Sequence, residues 1–462
     1  MMGSRQEFQS ALFCEFSLDD HVPDDHLLRS IDRFIDLSDV RDHLKPFYSH
    51  TGRPSFDPEL MIRMLIIGYT HGIRSERRLC AEVHLNLAYR WFCRLDLTDA
   101  VPDHSTFSKN RHGRFRDSEL FRKVFETVVA RCIAEGVVGG ERFATDASLV
   151  EADVNKQNST AKEEWDLDKI DPQTAARAVR EYLFALDDEA FGAATDVAPK
   201  FTSHADPSSQ WTAAHHGPAY FAYSNNYLID TDHAIIVDVE ASRSVRTAET
   251  HATISMIDRV KERFNLWPER LIADTAYGTA EFLNWLVEHH GIEPHIPVFD
   301  KSNRTDGIFA RDDFTYDYRA DAYICPSGKQ LLKSRRAFQT IRQKPKDTGF
   351  AKYGALKADC DACALKEKCC PKNSPRRITA SEFEGARQMA RDIAETEEYA
   401  ISCRLRKKVE MLFAHLKRIL GLRRLRLRGT NGANDEFLLA ATAQNLRKLA
   451  KLFPIEQTTK PA

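Results

Sequence analysis

Three carboxylates stand where an acid is least expected. Asp146 ends the strand-like RFATD, Asp274 ends the apolar run RLIAD, and Glu410 rides on the amphipathic stretch ISCRLRKKVEMLFAHLKRILG. An uncompensated charge at a core edge costs several kcal/mol, so each position calls for a reason. An aspartate after a strand is most often a turn or cap residue, and either one alone would read that way. Three converging acids would repel one another and need a compensating charge. A hard divalent ion, Mg²⁺ or Mn²⁺, provides it through oxygen ligands. Two such ions about 4 Å apart can clamp the attacking and leaving oxygens of a phosphodiester displacement.

Glu410 earns its place from the helical wheel. At about 100° per residue, Leu412, Phe413, Leu416 and Leu420 fall within about 60° of Val409, forming a buried face. Arg406, Glu410 and Lys417 gather about 60–100° from it, in a narrow polar stripe beside that face. A solvated helix would scatter its charges over the far side.

The elements that must position these groups follow from local pattern. The first ~135 residues carry only helical signals. Asp57-Pro58 opens PELMIRMLIIGYTHG as an N-cap followed by a first-turn proline, and Ser75 caps SERRLCAEVHL. PDHSTFSKNRHGRF starts a further helix whose body is basic: Lys109, Arg111, Arg114 and Arg116. A helix-turn-helix-like DNA-binding module and a plain helical bundle with a solvated basic face both fit. From 142 the pattern turns to strands: RFATDAS, then AYFAYSNNYLID and AIIVDVEAS as a hairpin. The helix ETHATISMIDRVKERF, the strand RLIAD, the helix AEFLNWLVEHH and the strand EPHIPV come next. Three strands, helix, strand, helix, strand predicts a mixed α/β sheet with helices on its faces. The expected division is a helical region over 1–135, a catalytic core over 136–299, a cysteine-bearing insertion over 300–398, and core helices over 399–462. Asp238 and Glu240 alternate on the hairpin and read as sheet-surface residues, while His215, His216 and His251 read as structural. No internal repeat is visible.

The chain has 462 residues, of which 42% are apolar and 29% charged. It can bury a sizeable core and is not a disordered polymer. The net charge of −2 conceals a strong asymmetry. Between Arg404 and Arg428 lie ten Lys and Arg against one acid, whereas 163–189 holds nine Asp and Glu. No stretch reaches the ~18 apolar residues of a membrane span, and the first residues lack the apolar core of a signal peptide. A cytoplasmic protein is expected. Of the ten cysteines, five are scattered singly and read as small buried apolar residues. Cys325, Cys360, Cys363, Cys369 and Cys370 cluster instead. A Cys-x2-Cys with two further thiolates suits tetrahedral Zn²⁺, with Cys325, Cys360, Cys363 and either Cys369 or Cys370 as ligands. A reduced, metal-free cluster is the competing reading.

Together these segments carry a resemblance. ATDASLVEA, LIADTAYG and RKKVEMLFAHLKRILGLRRLRLRG resemble the three catalytic blocks of the DDE transposases of bacterial insertion sequences. Arg406, Glu410 and Lys417 match that family's Arg-x3-Glu-x6-Lys signature, and the helical run from PSFDPELMIRML to VPDHSTFSKNR resembles an N-terminal domain common in one branch. There is one departure: the tyrosine some relatives place three residues before the arginine is Cys403 here, with Tyr399 a turn earlier. The resemblance implies an RNase H-like core in which Asp146, Asp274 and Glu410 bind two Mg²⁺ or Mn²⁺ ions. It implies water-driven cutting at the element's ends, then attack of the freed 3′-OH on target DNA. Arg406, Lys417, Arg423, Arg424, Arg426 and Arg428 would hold phosphates of double-stranded DNA, joined by Lys109, Arg111 and Arg114 of the helical region. It implies a nucleoid-associated homodimer in the DNA complex, and a structural zinc in the insertion, where that branch often carries such cysteines. A domesticated, inactive DNA-binding protein leaves the retained acids without a purpose, and a zinc-containing regulator leaves the triad unexplained.

Overall fold

The computed structural model describes residues 16–455 apart from 50, 52–54, 162–163, 167–169, 186–199, 214–216, 300–306, 318, 334–349, 373–374 and 382. His215 and His216 lie outside the described residues, and His251 is exposed. The fold is mixed α/β, as expected, with a helical N-terminal region and a cysteine-containing insertion.

The central sheet is built from β1 (Arg142–Glu151), β2 (Gln210–Ala213), β3 (Ala219–Asp230), β4 (Ile235–Arg243), β5 (Arg270–Ile272) and β6 (Glu293–His295). Its order is β2-β3-β1-β5-β6, with β4 also paired to β3. β1 is antiparallel to β3, while β1, β5 and β6 run parallel. Both faces are covered, so β3 and β4 are buried along nearly their whole length, polar residues included. Helix α5 (Arg246–Phe264) brings Met256, Ile257 and Val260 against Phe143, Leu228, Val237 and Leu271. On the other face lie α7 (Glu397–Arg418), α8 (Thr430–Leu452) and the helical region, including α1 (Pro58–Thr70) and α4 (Leu120–Ala134). Helix α8 is buried along nearly its whole length, and packs on α1, α4 and β4.

Several basic residues of the helical region are occupied in joining it to the core. Arg116 pairs with Asp435 of α8 at 2.7 Å, and Arg74 with the fully buried Glu436. Glu436 also accepts the backbone N–H groups of Arg426 and Leu427. Arg122 of α4 pairs with Asp238 and approaches Glu240, which Arg259 of α5 also contacts at 2.6 Å. Asp238 and Glu240 are therefore not free sheet-surface acids. They sit between two helices from different parts of the chain, and burial raises the Glu240 carboxyl against the pull of both arginines.

The insertion is more ordered than its composition predicts. It forms a five-stranded antiparallel sheet, β7 (Thr315–Asp317), β8 (Ala322–Ile324), β9 (Gln330–Lys333), β10 (Phe350–Gly354) and β11 (Arg377–Ser381), in the order β11-β10-β9-β8-β7. Phe314, Tyr323, Leu331, Tyr353 and Ile378 give it a small core of its own. Helix α6 (Glu384–Ala394), which follows, packs through Ala386 and Ala390 onto the core's second layer rather than onto this sheet.

The ion pairs between helices and sheet should be felt in stability. Replacing Arg122 with alanine leaves Asp238 with only Arg259, at 3.4 Å, as a cation partner. Breaking such a buried pair should lower unfolding stability by about 3 kcal/mol, read as a reduced denaturant midpoint with an unchanged slope. A loss below about 0.5 kcal/mol, the scale of an ordinary surface substitution, would mean the pair holds nothing together.

Candidate active site

The position of Asp146 follows from where the sheet comes apart. β1 and β5 pair only over Arg142↔Arg270 to Ala144↔Ile272, whereas β1 and β3 stay paired to Glu151↔Ala222. Asp146 is thus not the end of a strand, as its sequence suggested, but its middle. It is the second residue past the point where the neighbour on one side stops. Side chains alternate along a strand, so Asp146 shares its face with Ala144 and Val150, the face that α7 covers. Thr145 points the other way, to Thr253 of α5 at 2.9 Å.

Asp274 lies two residues beyond β5, at the mouth of the same split. It does act as a cap: one carboxylate oxygen accepts the Ala276 N–H at 2.8 Å at the start of a short 3-10 turn. The turn is fixed by close packing. A Cβ built on Gly278 would come within 2.0 Å of the Pro297 carbonyl, so only glycine fits. Tyr277, buried at 2% exposure, is carried by this turn and is a functional candidate that sequence reasoning missed. Burial pushes its phenol well above the usual range, and the charges of Glu249, Asp146 and Asp274 push the same way. The signal was present in the sequence: an aromatic three residues after a strand-end acid must pack somewhere near it.

Helix α7 brings the third acid. Tyr227 stands directly opposite Asp146 in the β1–β3 register, and its ring stacks on Phe413 at 4.7 Å. Its hydroxyl donates to Gln444 of α8 at 2.8 Å. One buried tyrosine therefore fixes α7 relative to the strand that bears Asp146, one turn from Glu410. Glu410 is more open than a core-edge residue, with 56% of its side chain exposed, and Arg406 lies 3.8 Å from it. Lys417, two turns on, donates to Ser148 Oγ at 2.7 Å, and burial lowers its ammonium below the ordinary range.

The Asp146 carboxyl is raised to about 6, first by burial, with Asp274 and Glu410 adding to the rise and the Ala147 N–H and Arg406 opposing it. Among the described residues, no group of three or more His, Cys, Asp or Glu side chains is arranged to hold a metal ion.

The basic run after α7 does not continue the helix. Leu422, Leu425 and Leu427 are buried while Arg423, Arg424, Arg426 and Arg428 are exposed, the alternation of an extended arm. The arm is bonded along the end of β1, from Glu151 N–H to the Arg423 carbonyl and from Leu425 N–H to the Glu151 carbonyl. Arg424 and Arg428 reach Asp153 at 3.5 and 3.2 Å. In the helical region Lys109 is exposed, but Arg111 is 3% exposed and bonded to Glu76 and the Tyr69 hydroxyl. Arg114 lies over the Tyr48 ring.

In the insertion, Cys325, Cys360, Cys363, Cys369 and Cys370 line a single cavity of about 20 Å³. Backbone N–H groups donate to three of the sulfurs: Lys329 to Cys325, Arg376 to Cys360 and Leu365 to Cys363. Hydrogen bonds to the Cys325 sulfur from the Ser327 side chain and backbone and from Lys329 outweigh its burial and lower its pKa. Cys370 is the more deeply buried of the adjacent pair, and all five thiols are free.

Residues 324–450 match a family described as Transposase DDE domain, and residues 16–113 match one described as Transposase domain (DUF772). Both matches are to transposase domains, and together they support a DDE-type insertion-sequence transposase. Glu410, Arg406 and Lys417 fall inside the first match, whereas Asp146 and Asp274 lie between the two matched spans. No curated protein matches the chain. Among the described residues no helix is long and apolar enough to cross a membrane.

The raised Asp146 carboxyl has a consequence for stability. A carboxyl whose folded value lies above its ordinary one withdraws stability as pH rises from about 4 through about 6. Asp146→Asn should therefore raise the melting temperature of ion-free protein at pH 7.5 by several degrees, the equivalent of about 2 kcal/mol. The difference should vanish near pH 4. Mg²⁺ or Mn²⁺ should raise the melting temperature of the wild type and not of the variant. Equal melting curves at both pH values would show that Asp146 is not under charge stress.

Proposed function

We propose that this transposase cuts DNA at the ends of its element and joins the freed 3′-OH to target DNA, with Asp146, Asp274 and Glu410 as its metal-binding acids on an RNase H-like core. What supports the reading is the early end of β5, which leaves Asp146 and Asp274 beside one opening of the sheet, with the helix of Glu410 packed on both strands. A divalent pair held there would supply a deprotonated water or 3′-OH nucleophile and neutralise the charge building on the phosphate. Asp146 and Asp274 bind from the rigid sheet, and Glu410 closes from a helix exposed enough to meet the DNA. Lys417, held by Ser148 on the strand of Asp146, places a cation for a phosphate oxygen. Arg406 restrains Glu410 until DNA arrives. The exposed arginines of the 423–428 arm and Lys109 extend the phosphate track. Arg111 is not carried forward, because its charge is already matched inside the helical region.

Amide substitution separates binding from chemistry. Asp146→Asn, Asp274→Asn and Glu410→Gln should each reduce Mg²⁺-dependent cleavage and strand transfer by at least about a hundredfold while leaving binding to the ends within a fewfold of wild type. Glu288→Gln, at an exposed acid away from the site, should cut normally. Glu240 is unsuitable as that control, since it lies between Arg122 and Arg259 and its amide would weaken the contact between helices and sheet. Normal cleavage by any of the three amide variants would remove that residue from the site.

We infer a structural Zn²⁺ in the thiol cavity, a reading supported by three sulfurs that accept the backbone N–H bonds which stabilise thiolates. Cys325, Cys360 and Cys363 would close on it, with Cys370 favoured over Cys369 by its deeper burial. Purified protein should contain about one zinc per chain by elemental analysis. Cys360→Ser with Cys363→Ser should contain none, and Cys370→Ser should lose more than Cys369→Ser. Zinc-free wild-type protein prepared without chelator would refute the site.

A further inference from the structure

On the side of α7 away from Glu410 there is a second concave surface, a cleft of about 740 Å³. Lys408 and His415 face it, about 140–160° around the helix from Glu410. Arg447, Lys448 and Lys451 of α8 form another wall, and Asp25 and Leu27 of the helical region a third. Its charge is not balanced internally. Of its two acids, Asp232 is already paired with Arg142 at 3.0 Å. Lys408 donates to the Thr231 and Asp232 carbonyls, and Arg447 to the Thr70 carbonyl, so neither of these bonds cancels a charge. Among the described residues, no carboxylate lies within ion-pair distance of Lys448 or Lys451. Lys448 is held below its ordinary range by burial and by the charges of Lys451 and Lys408.

Like charges gathered in a cleft, with burial against them, describe a surface that lacks its counterion. A cation near a helix C-terminus also suits the helix dipole, which accounts for Lys451. It does not account for Lys448 a turn earlier or for Lys408 across the cleft. Lys448 and Lys451 are spaced about 4.5 Å along the axis of α8, with Lys408 on the facing helix, and a helix C-terminus offers no backbone N–H cradle for a small phosphate. An extended polyanion fits them better.

We propose that this cleft binds the sugar-phosphate backbone of a second stretch of double-stranded DNA, continuous with the segment at the active site but lying behind α7. This rests on the transposase reading above. It adds that the duplex passes from the helical region round α7, so that DNA flanking the cleavage point contributes to affinity without reaching the catalytic acids.

The test uses the full-length chain and two duplexes that both span the cleavage site and the element's terminal sequence, one stopping at the inner edge of that sequence and one extended further into the element by about 20 bp, two helical turns, of scrambled sequence. Affinity is measured against KCl concentration. For wild type the longer duplex should give the steeper log–log slope. In Lys448→Ala with Lys451→Ala that slope should become shallower by about 1–2, at roughly 0.9 for each phosphate left unneutralised. The slope for the short duplex should not change, and its Mg²⁺-dependent cleavage should persist. Lys451→Ala alone, at an exposed position, should give about half the effect. An unchanged slope on the long duplex, or equal decreases on both, would overturn the proposal. Should wild type fail to cut either duplex while the slope difference stands, the catalytic reading falls and the cleft remains.

Discussion

Asp146 has a strand partner on one side only, because β5 stops at Ile272 while β1 runs on to Glu151. Asp274 lies just beyond the end of β5, on a turn fixed by Gly278, and Glu410 is carried by the helix that packs on β1, fixed by Phe413 against Tyr227. The arrangement persists because surrounding packing over-determines it: Tyr227, Gln444 and the length of α8 set the helix, and the β1–β3 register sets the strand.

The helical region is bound into the same design. Its buried arginines do not reach outward but lock onto acids of the core, Arg74 to Glu436 and Arg122 to Asp238. Glu436 in turn holds the backbone at Arg426 and Leu427, so the basic arm depends on a contact made by α8 and the N-terminal region together. Forces on the helical region can therefore pass to the arm beside β1 and to the strand that carries Asp146.

The sequence disclosed most where a pattern has a single physical meaning. The wheel separated Glu410 from Leu412, Phe413 and Leu416, and alternation with turn chemistry gave the hairpin of β3 and β4. It disclosed least where charge was involved. Asp238 and Glu240 alternate as surface residues would, and nothing local reveals that Arg122, over a hundred residues away, covers them. Arg111 is indistinguishable in sequence from a DNA-facing cation, yet it lies against Tyr69 and Glu76. The Arg423–Arg428 run was read for its charge and not for its conformation. Its alternating leucines were the available sign of an extended arm, and they were outweighed by the charge count. Asp146 was placed at a strand end because the apolar run ends there, but β3 continues to pair with Ser148, Leu149 and Val150.

The central claim is that Asp146, Asp274 and Glu410 hold metal ions jointly. Replacing Mg²⁺ with Fe²⁺ and generating hydroxyl radicals at the bound ion would test it directly, since the radicals cleave the peptide chain only close to the metal. The account predicts cuts near residues 146, 274 and 410 in the same protein, suppressed together by excess Mg²⁺ and abolished together in Asp146→Asn. Cuts at only one of the three, or cuts that survive in Asp146→Asn, would contradict it.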